Sequence, residues 1–511
     1  MSAKAGVFPF SGHAQYGKIY IMTKRNYSEH FKMEVLEEIC SMFYKGTLAK
    51  EINHLPWNII PKGSDAAFRC CVYKERAILK LRALAAFGYS VNEVDEALPL
   101  SEYVGQDNPQ FDHKSNKLLT VLESACSACV KSRYMVSELC QGCLARKCEN
   151  ACFFNAVTVT NHKAHIDQDK CKSCGKCKEA CPYGAILKLS VPCEEACPVN
   201  AIKKNEKGIA KIDHSLCISC GNCMRNCPFG AIMERSQILD VLKQTKKDKP
   251  LVAMVAPSIA GQFGISVGQL ATAIKELGFT HVYEVALGAD ITAQKEAAEF
   301  IEKVVDDKRP FMTTSCCHAY TRLAKKHIPE LLPYISDTGT PMHYTAQLVK
   351  KEMPEAVTVF VGPCLSKRKE AQTDEFVDYV ISYEELKAMI LGKGINLETC
   401  AETEFDRKAT VEALKFGITG GVTQTVKKAA GDYSALIKDE IIAGIDKKTI
   451  FKLKAYAKTG KSLGNLIEVM CCPGGCVGGC ATVKPIKEAR EQEEAYAQKA
   501  GVESFQVKAS E

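Results

Sequence analysis

The sequence predicts an α+β multidomain chain, and three observations carry that prediction. Residues 1–125 place apolar side chains at helical spacing, residues 126–235 are crowded with cysteine in a repeated pattern, and residues 245–485 alternate short apolar runs with helical segments. A charged stretch, 486–511, closes the chain and reads as a solvated helix and tail.

The N-terminal helices are FKMEVLEEICSMFYKGTLAKEI (31–52) and KERAILKLRALAAFGYSVNEVDEAL (74–98). Cys40, Cys70 and Cys71 lie here outside any metal spacing and are expected to be buried structural thiols. His13, His30 and His54 are isolated and read as surface or core residues.

Bulk composition narrows the function classes. Hydrophobic content of 46% and charged content of 25% are ordinary for a soluble globular protein. No apolar run approaches the ~18–20 residues that span a bilayer, and MSAKAGVFPFSGHAQYGKIYIM lacks the pattern of a signal peptide. The expectation is a cytoplasmic protein. A formal charge of +7 is small for this length and points to neither nucleic acid nor membrane.

Twenty-seven cysteines without a secretory signal argue for metal rather than disulfides. DKCKSCGKCKEACPYGAI (169–186) and SLCISCGNCMRNCPFGAI (215–232) share the pattern C-x2-C-x2-C-x3-C-P. Each follows a partner half, CQGCLARKCENACFFNAV (140–157) and VPCEEACPVNAI (191–202). Such a loop makes three thiolates converge on one 4Fe–4S cubane, while the cysteine before proline ligates the neighbouring cluster. Structural zinc uses paired C-x2-C knuckles instead. The middle of the chain therefore reads as a tandem bacterial-ferredoxin-like 4Fe–4S domain. The crossing rule joins Cys171, Cys174 and Cys177 with Cys152. It joins Cys140, Cys143 and Cys148 with Cys181, and Cys217, Cys220 and Cys223 with Cys197. Cys193 and Cys227 are left over. SACSACV offers Cys126 and Cys129, so these four either complete a fourth cubane or are structural remnants. An array of this kind moves electrons, and any reaction must come from the C-terminal part.

There, LVAMVAPS (251–258), THVYEVAL (280–287), PFMTTSCC (310–317) and AVTVFVGPC (356–364) read as buried strands. AQKEAAEFIEKVV (293–305), TAQLVKKEM (345–353) and SYEELKAMIL (382–391) read as helices between them, which predicts parallel sheets. Cysteines end three of the strands, at Cys316–Cys317, Cys364 and the run EVMCCPGGCVGGC (468–480). Loops at the carboxyl ends of parallel strands share one crevice, so the three can meet around one metal site. Adjacent cysteines on an extended segment point to opposite faces and take different jobs.

TSCCHAY, GPCLSKRKE and EVMCCPGGCVGG resemble the three signature motifs of FeFe hydrogenases, and APS (256–258) and GADITAQKEAAE (288–299) resemble two further segments of that family. The resemblance covers roughly residues 126–485 and is nearest a monomeric branch with several ferredoxin-type clusters. It implies a C-terminal α/β H-cluster domain with two parallel-sheet lobes. The H-cluster is a cubane joined to a diiron unit bearing CO, cyanide and an azadithiolate. By the motif match, Cys317, Cys364, Cys472 and Cys476 hold the cubane, and Cys476 bridges to the diiron. Lys367 and the Pro257–Ser258 pair contact the cyanides, and Met470 packs beside the cluster. Cys316 is the proton donor and acceptor, with Glu299, Ser336 and Glu296 leading to the surface. A thiol suits that task because its reference pKa of ~8.5 lies near ambient pH.

The implied activity is reversible interconversion of protons plus electrons with hydrogen under anaerobic conditions, coupled to ferredoxin or a similar carrier and dependent on maturation proteins. The alternatives are a hydrogen sensor and a non-catalytic multi-cluster protein. Relatives without the diiron unit lose the cysteine and lysine present here as Cys316 and Lys367. Departures from the common pattern, at His318, Tyr320, Met342, Gly362 and Cys480, touch the surroundings of the cluster rather than its ligands. Cys471 has no role in this reading.

Overall fold

The computed structural model describes residues 27–64, 69–104, 117–126, 129, 133–405 and 407–509. His13 lies outside the described residues. The N-terminal region folds around helices α1 (Tyr27–Lys45) and α2 (Val72–Ala86). Val35, Leu36, Ile39, Ile78, Leu79 and Leu84 form its core, and that core is continuous with the C-terminal sheet. Cys40 is buried as expected, whereas Cys70 is exposed and Cys71 half-buried. Those two precede α2 outside its packed face, so the expectation of burial fails for Cys70.

The cysteine-rich region consists of two units of one design, each a pair of short antiparallel ladders. In the first, β2 (Arg133–Val136) pairs with β5 (Ile186–Leu189), and β3 (Val157–Thr160) with β4 (Lys163–Ile166). In the second, β1 (Leu119–Val121) pairs with β8 (Ile232–Glu234), and β6 (Ile202–Lys204) with β7 (Ala210–Ile212). The first strand of the second unit therefore precedes the whole first unit. The arrangement is nested, not tandem: residues 133–189 are inserted between Cys129 and Cys193. The cause is the pairing of Leu119 with Glu234, which closes the second unit around the insertion.

Two parallel sheets follow. The first has the order β10 (His281–Glu284), β9 (Leu251–Val255), β12 (Val357–Val361), β13 (Tyr379–Ile381). The second has the order β11 (Met312–Thr313), β15 (Leu466–Met470), β14 (Asp439–Ala443). β9, β12 and β15 are buried almost throughout, as strands covered on both faces require. Helices α3 (Ala286–Phe300), α4 (His318–His327), α5 (Pro341–Glu352) and α6 (Tyr383–Lys393) connect and cover them. α1 lies on α6 so closely that a Cβ at Gly392 would stand 2.5 Å from the Cys40 Cβ.

The charged C-terminal stretch is not a solvated tail. It forms α7 (Ile486–Ala500), whose Ala489, Glu493 and Ala497 are fully buried. Charge on the other faces disguised a narrow inward stripe of small residues at i, i+4 spacing.

One ion triad ties the three regions together. Lys32 Nζ on α1 lies 2.7 Å from Glu234 on β8 and 2.6 Å from Glu384 on α6, all largely buried. Burial opposes its charge, but the two carboxylates outweigh that and raise its pKa. Lys32→Ala leaves both carboxylates buried without a cation and is expected to destabilise the packing of α1 by about 3–5 kcal/mol. A lower thermal midpoint, together with protease cleavage between residues 27 and 104 under conditions that spare the wild type, is the expected readout.

Candidate active site

The carboxyl ends of the two sheets face one another. β9 runs into Ala256-Pro257-Ser258, β12 into Gly362-Pro363-Cys364, β11 leads to Cys316-Cys317, and β15 into Cys471-Cys472. Between them lies a cavity of about 90 Å³. Cys316, Cys317, Cys364, Cys472 and Cys476 line it, with Pro257, Ser258, Lys367 and Met470. The three cysteine loops and the predicted cofactor contacts thus converge. Both adjacent cysteines border the same cavity but meet different neighbours. Cys317 Sγ accepts from the Cys471 N–H at 3.4 Å, whereas Cys316 is held next to Glu296.

Glycine makes the convergence possible. Gly475 sits at φ 95°, and a Cβ there would stand 2.6 Å from the Gly417 carbonyl oxygen. A Cβ on Gly479 would stand 2.7 Å from the Pro363 carbonyl oxygen. The last loop can therefore lie against the β12 loop.

Electrostatics fits a cluster. Burial, then the proximity of Cys317, pushes the Cys364 thiol up to about 12. Burial and the crowding of Cys364 and Cys317 push Cys472 well above the usual thiol range. Four crowded thiols stay protonated on their own, and iron supplies the positive charge that lets them ionise. The donor set thus suits a thiolate-bound iron–sulfur group. Lys367 faces the cavity with its ammonium 2.7 Å from Glu370, a partner the sequence did not disclose. His318 lines the cavity too, its Nδ1 2.9 Å from the Ser366 carbonyl oxygen, and burial lowers its pKa to about 4.

A polar path leaves the cavity at Cys316. Glu296 on α3 is fully buried, and burial pushes its carboxyl up to about 7 against hydrogen bonds from Ser315. The Ser315 N–H donates to Oε1 at 2.9 Å and its hydroxyl at 3.1 Å, while Oε2 has no hydrogen-bond partner among the described residues. Ser336 lies beside Glu296 and donates its hydroxyl to Glu299. Glu299 also accepts from Thr338 Oγ1 at 2.9 Å and the Asp337 N–H at 2.8 Å, and it pairs with Lys303. Burial works against its charge, but these bonds prevail and lower its pKa. Lys303 reaches the exposed carboxylate of Asp337 at 2.6 Å, so the path ends at the surface. The four predicted relay residues lie in one neighbourhood, with Ser336 hydrogen-bonded to Glu299. Ser315, Thr338 and Lys303 were missed; Ser315 stood one residue before Cys316, and Lys303 four after Glu299.

Cysteines of the two iron–sulfur-type units lie near one another. Cys177 feels Cys171 and Cys152, Cys148 feels Cys143 and Cys181, and Cys223 feels Cys220, Cys217 and Cys197. The first two groups fall within sets of the crossing rule and the third contains the whole of one, with Cys193 also near Cys223. The four leftover thiols also meet: Cys126, Cys129, Cys193 and Cys227 line one small cavity with Lys204. Corresponding residues repeat across the sets. Asn155, Gly184, Asn200 and Gly230, each three residues past its cysteine, all adopt positive φ. That turn aims the next amide back at the sulfur: Ala156, Ala201 and Ala231 donate to Cys152, Cys197 and Cys227 at 3.2–3.4 Å. Nesting supplies the last parallel, because Ala210 on β7 donates to Cys126 as Ala164 on β4 donates to Cys140.

The second unit abuts the main cavity. Cys220 is part of its lining and hydrogen-bonds Cys471, which gives Cys471 a place between the two cysteine sets. Arg225 Nη1 donates to the Gly478 carbonyl at 2.8 Å and fixes the last loop to that unit. Cys480 packs against Gly221, where any side chain would collide with it.

Three stretches of the chain match known families. Residues 249–480 match the iron-only hydrogenase large subunit, C-terminal domain. Residues 164–187 match a 4Fe–4S binding domain, and 188–238 the LdpA Fe–S cluster-binding domain. The periplasmic Fe hydrogenase large subunit of Nitratidesulfovibrio vulgaris is 31% identical over 381 residues, covering 63% of this chain and 87% of that protein. The NADP-reducing hydrogenase subunit HndD of Solidesulfovibrio fructosivorans is 27% identical over 410 residues, covering 66% of this chain and 62% of that protein. The cytosolic Fe–S cluster assembly factor narfl of Danio rerio is 26% identical over 326 residues, covering 50% of this chain and 79% of that protein. With the cysteine loops, the cavity and the paired sheets in place, the chain belongs to the iron-only hydrogenase large-subunit family.

Proposed function

We propose that the protein is an FeFe hydrogenase that catalyses reversible oxidation of hydrogen and reduction of protons. The observation that carries this reading is the file of polar residues from Cys316 past Glu296, Ser336 and Glu299 to the surface at Lys303 and Asp337. A protein that only stored or passed on clusters has no need of it.

Cys317, Cys364, Cys472 and Cys476 would hold the cubane of the H-cluster, with Lys367, Pro257, Ser258 and Met470 around the diiron unit. When bound, that group supplies the redox-active iron at which hydrogen forms or splits. The chain's own residues bring and remove protons. Cys316 holds the proton nearest the cavity, Glu296 exchanges with it, and Glu299 exchanges protons with solvent at the surface, where the Lys303 ammonium holds its carboxylate in place. Lys367 places positive charge beside an anionic ligand.

Electrons would pass through four accessory cubanes: the fourth is the set of Cys126, Cys129, Cys193 and Cys227. The set with Cys220 is the nearest to the H-cluster. The first unit would be the outermost and would meet ferredoxin or a similar carrier, as expected of a branch with several ferredoxin-type clusters. Maturation proteins would deliver the diiron unit. The domains under this reading are the N-terminal helices, the nested iron–sulfur region and the H-cluster region with α7 as part of it.

The second reading, an assembly factor, draws on the similarity to narfl. Infrared spectra of anaerobically matured protein separate the two. Bands of metal-bound CO and cyanide are expected and should shift when hydrogen replaces nitrogen. Turnover should accompany them, and Cys316→Ala should keep the bands but lose about 10²–10⁴-fold in rate. Iron-replete protein without such bands would contradict the hydrogenase reading.

Glu296 sets a pH dependence. Its folded pKa of about 7 lies above the usual carboxylate value, so it is protonated below that pH and ionised above it. Proton reduction, which draws on the protonated form, is expected to fall as pH rises through 7, and hydrogen oxidation to fall on the acid side. Glu296→Gln should slow both directions and remove the limb near pH 7, measured as turnover against pH.

The fourth cluster is tested by Cys126→Ser. One cubane's worth of iron should be lost, together with one reduced-cluster signal in electron paramagnetic resonance. Unchanged iron would mean that the four thiols are structural.

A further inference from the structure

Two buried carboxyls with unpartnered oxygens stand near the main cavity. Glu296 belongs to the Cys316 path. Glu493 is used by nothing above. It projects from α7 between Ala489 and Ala497, it is 0% exposed, and among the described residues neither of its oxygens has a hydrogen-bond partner. It presses on the cavity wall. A Cβ at Gly417 would stand 2.5 Å from Glu493 Oε1, 2.9 Å from Oε2 and 2.9 Å from the Ser258 Cβ. Gly417 and Ser258 both line the cavity, so the missing side chain at 417 is what lets the carboxyl come this close. Ser258 Oγ lies 2.7 Å from the hydroxyl of Tyr383, which is also fully buried and sits in the field of Glu493 and Cys476.

A buried carboxyl without a partner is costly, and a third alanine would continue this stripe at less expense in free energy. Burial pushes Glu493 well above the usual carboxylate range, opposed only by the Gly417 amide. A carboxyl kept neutral is a donor as well as an acceptor. Apart from the nearby Gly417 amide, its surroundings inside the protein use neither capacity, and the open space beyond Gly417 and Ser258 is where the cofactor would sit.

We propose that Glu493 is a positioning residue of the catalytic centre, forming with Ser258 and Tyr383 a second hydrogen-bonding array that supports the cyanide on the Ser258 wall. The inference rests on the hydrogenase reading. It assigns α7 to the active site rather than to the periphery.

Infrared spectra of matured wild type, Glu493→Leu, Glu493→Gln and Tyr383→Phe at equal iron content provide the test. Donation to the nitrogen of a metal-bound cyanide raises its stretching frequency. Glu493→Leu and Tyr383→Phe should therefore each move one cyanide band to lower wavenumber, and Glu493→Gln, which keeps a donor, should leave it at the wild-type position. A purely structural anchor would lower the melting temperature without moving the band. Wild-type band positions in Glu493→Leu overturn the inference, as does a glutamine band displaced as far as that of leucine. If Glu493→Leu fails to fold, seen as loss of the accessory-cluster absorbance, Tyr383→Phe decides: an unmoved band overturns the array. Absence of CO and cyanide bands in the wild type overturns the hydrogenase reading and this inference with it, whereas normal wild-type bands with unmoved variants overturn the Glu493 role alone.

Discussion

Bringing several thiols into one cluster-sized space is the constraint on which the rest of this structure depends. Buried thiols that crowd one another resist ionisation, and that resistance is visible at Cys364 and Cys472. Only a scaffold that fixes the backbone on all sides can hold them there. Two parallel sheets meeting at their carboxyl ends provide it, because each strand end delivers one short loop to the same crevice. Gly475 and Gly479 complete it by letting the last loop touch its neighbours where a side chain would collide.

The same low-polarity interior governs the acids around the cavity. Glu296 and Glu493 are both pushed up by burial, while Glu299, wrapped in hydrogen bonds and paired with Lys303, is lowered. Glu296 and Glu299 lie three residues apart on one helix, so the contrast comes from depth and partners, not from local sequence. A path whose inner carboxyl is nearly neutral and whose outer one is ionised suits the passage of protons between a dry cavity and water.

Nesting of the iron–sulfur units has a mechanical meaning. β1 and β8 close the second unit next to α1 and α6, and Lys32 pins all three. The second unit is thereby held against the main cavity through Arg225 and Cys471, with the first unit inserted into it at one end. Electron transfer depends on cluster separation, and this attachment leaves the innermost set little freedom to drift.

The sequence by itself determined the chemistry. Cysteine spacing pointed to iron–sulfur binding and to the loops that carry it, since ligands two or three residues apart are a local property of the loop. The strand-end motifs identified the cavity residues, and the i, i+3 pair Glu296 and Glu299 was legible on its helix. Tertiary structure decided what depends on distant partners. The pairing of Leu119 with Glu234 turned an apparent tandem repeat into a nested one and completed the set of Cys126, Cys129, Cys193 and Cys227. Burial of Ala489, Glu493 and Ala497 turned an apparently solvated tail into a helix packed behind Gly417. Glu370 beside Lys367 and Cys220 beside Cys471 are contacts of the same kind. Spacing along the chain records what a loop can wrap around, but strand pairing and helix docking join residues separated by a hundred or more positions, and no local pattern encodes which surface a charged helix will press against.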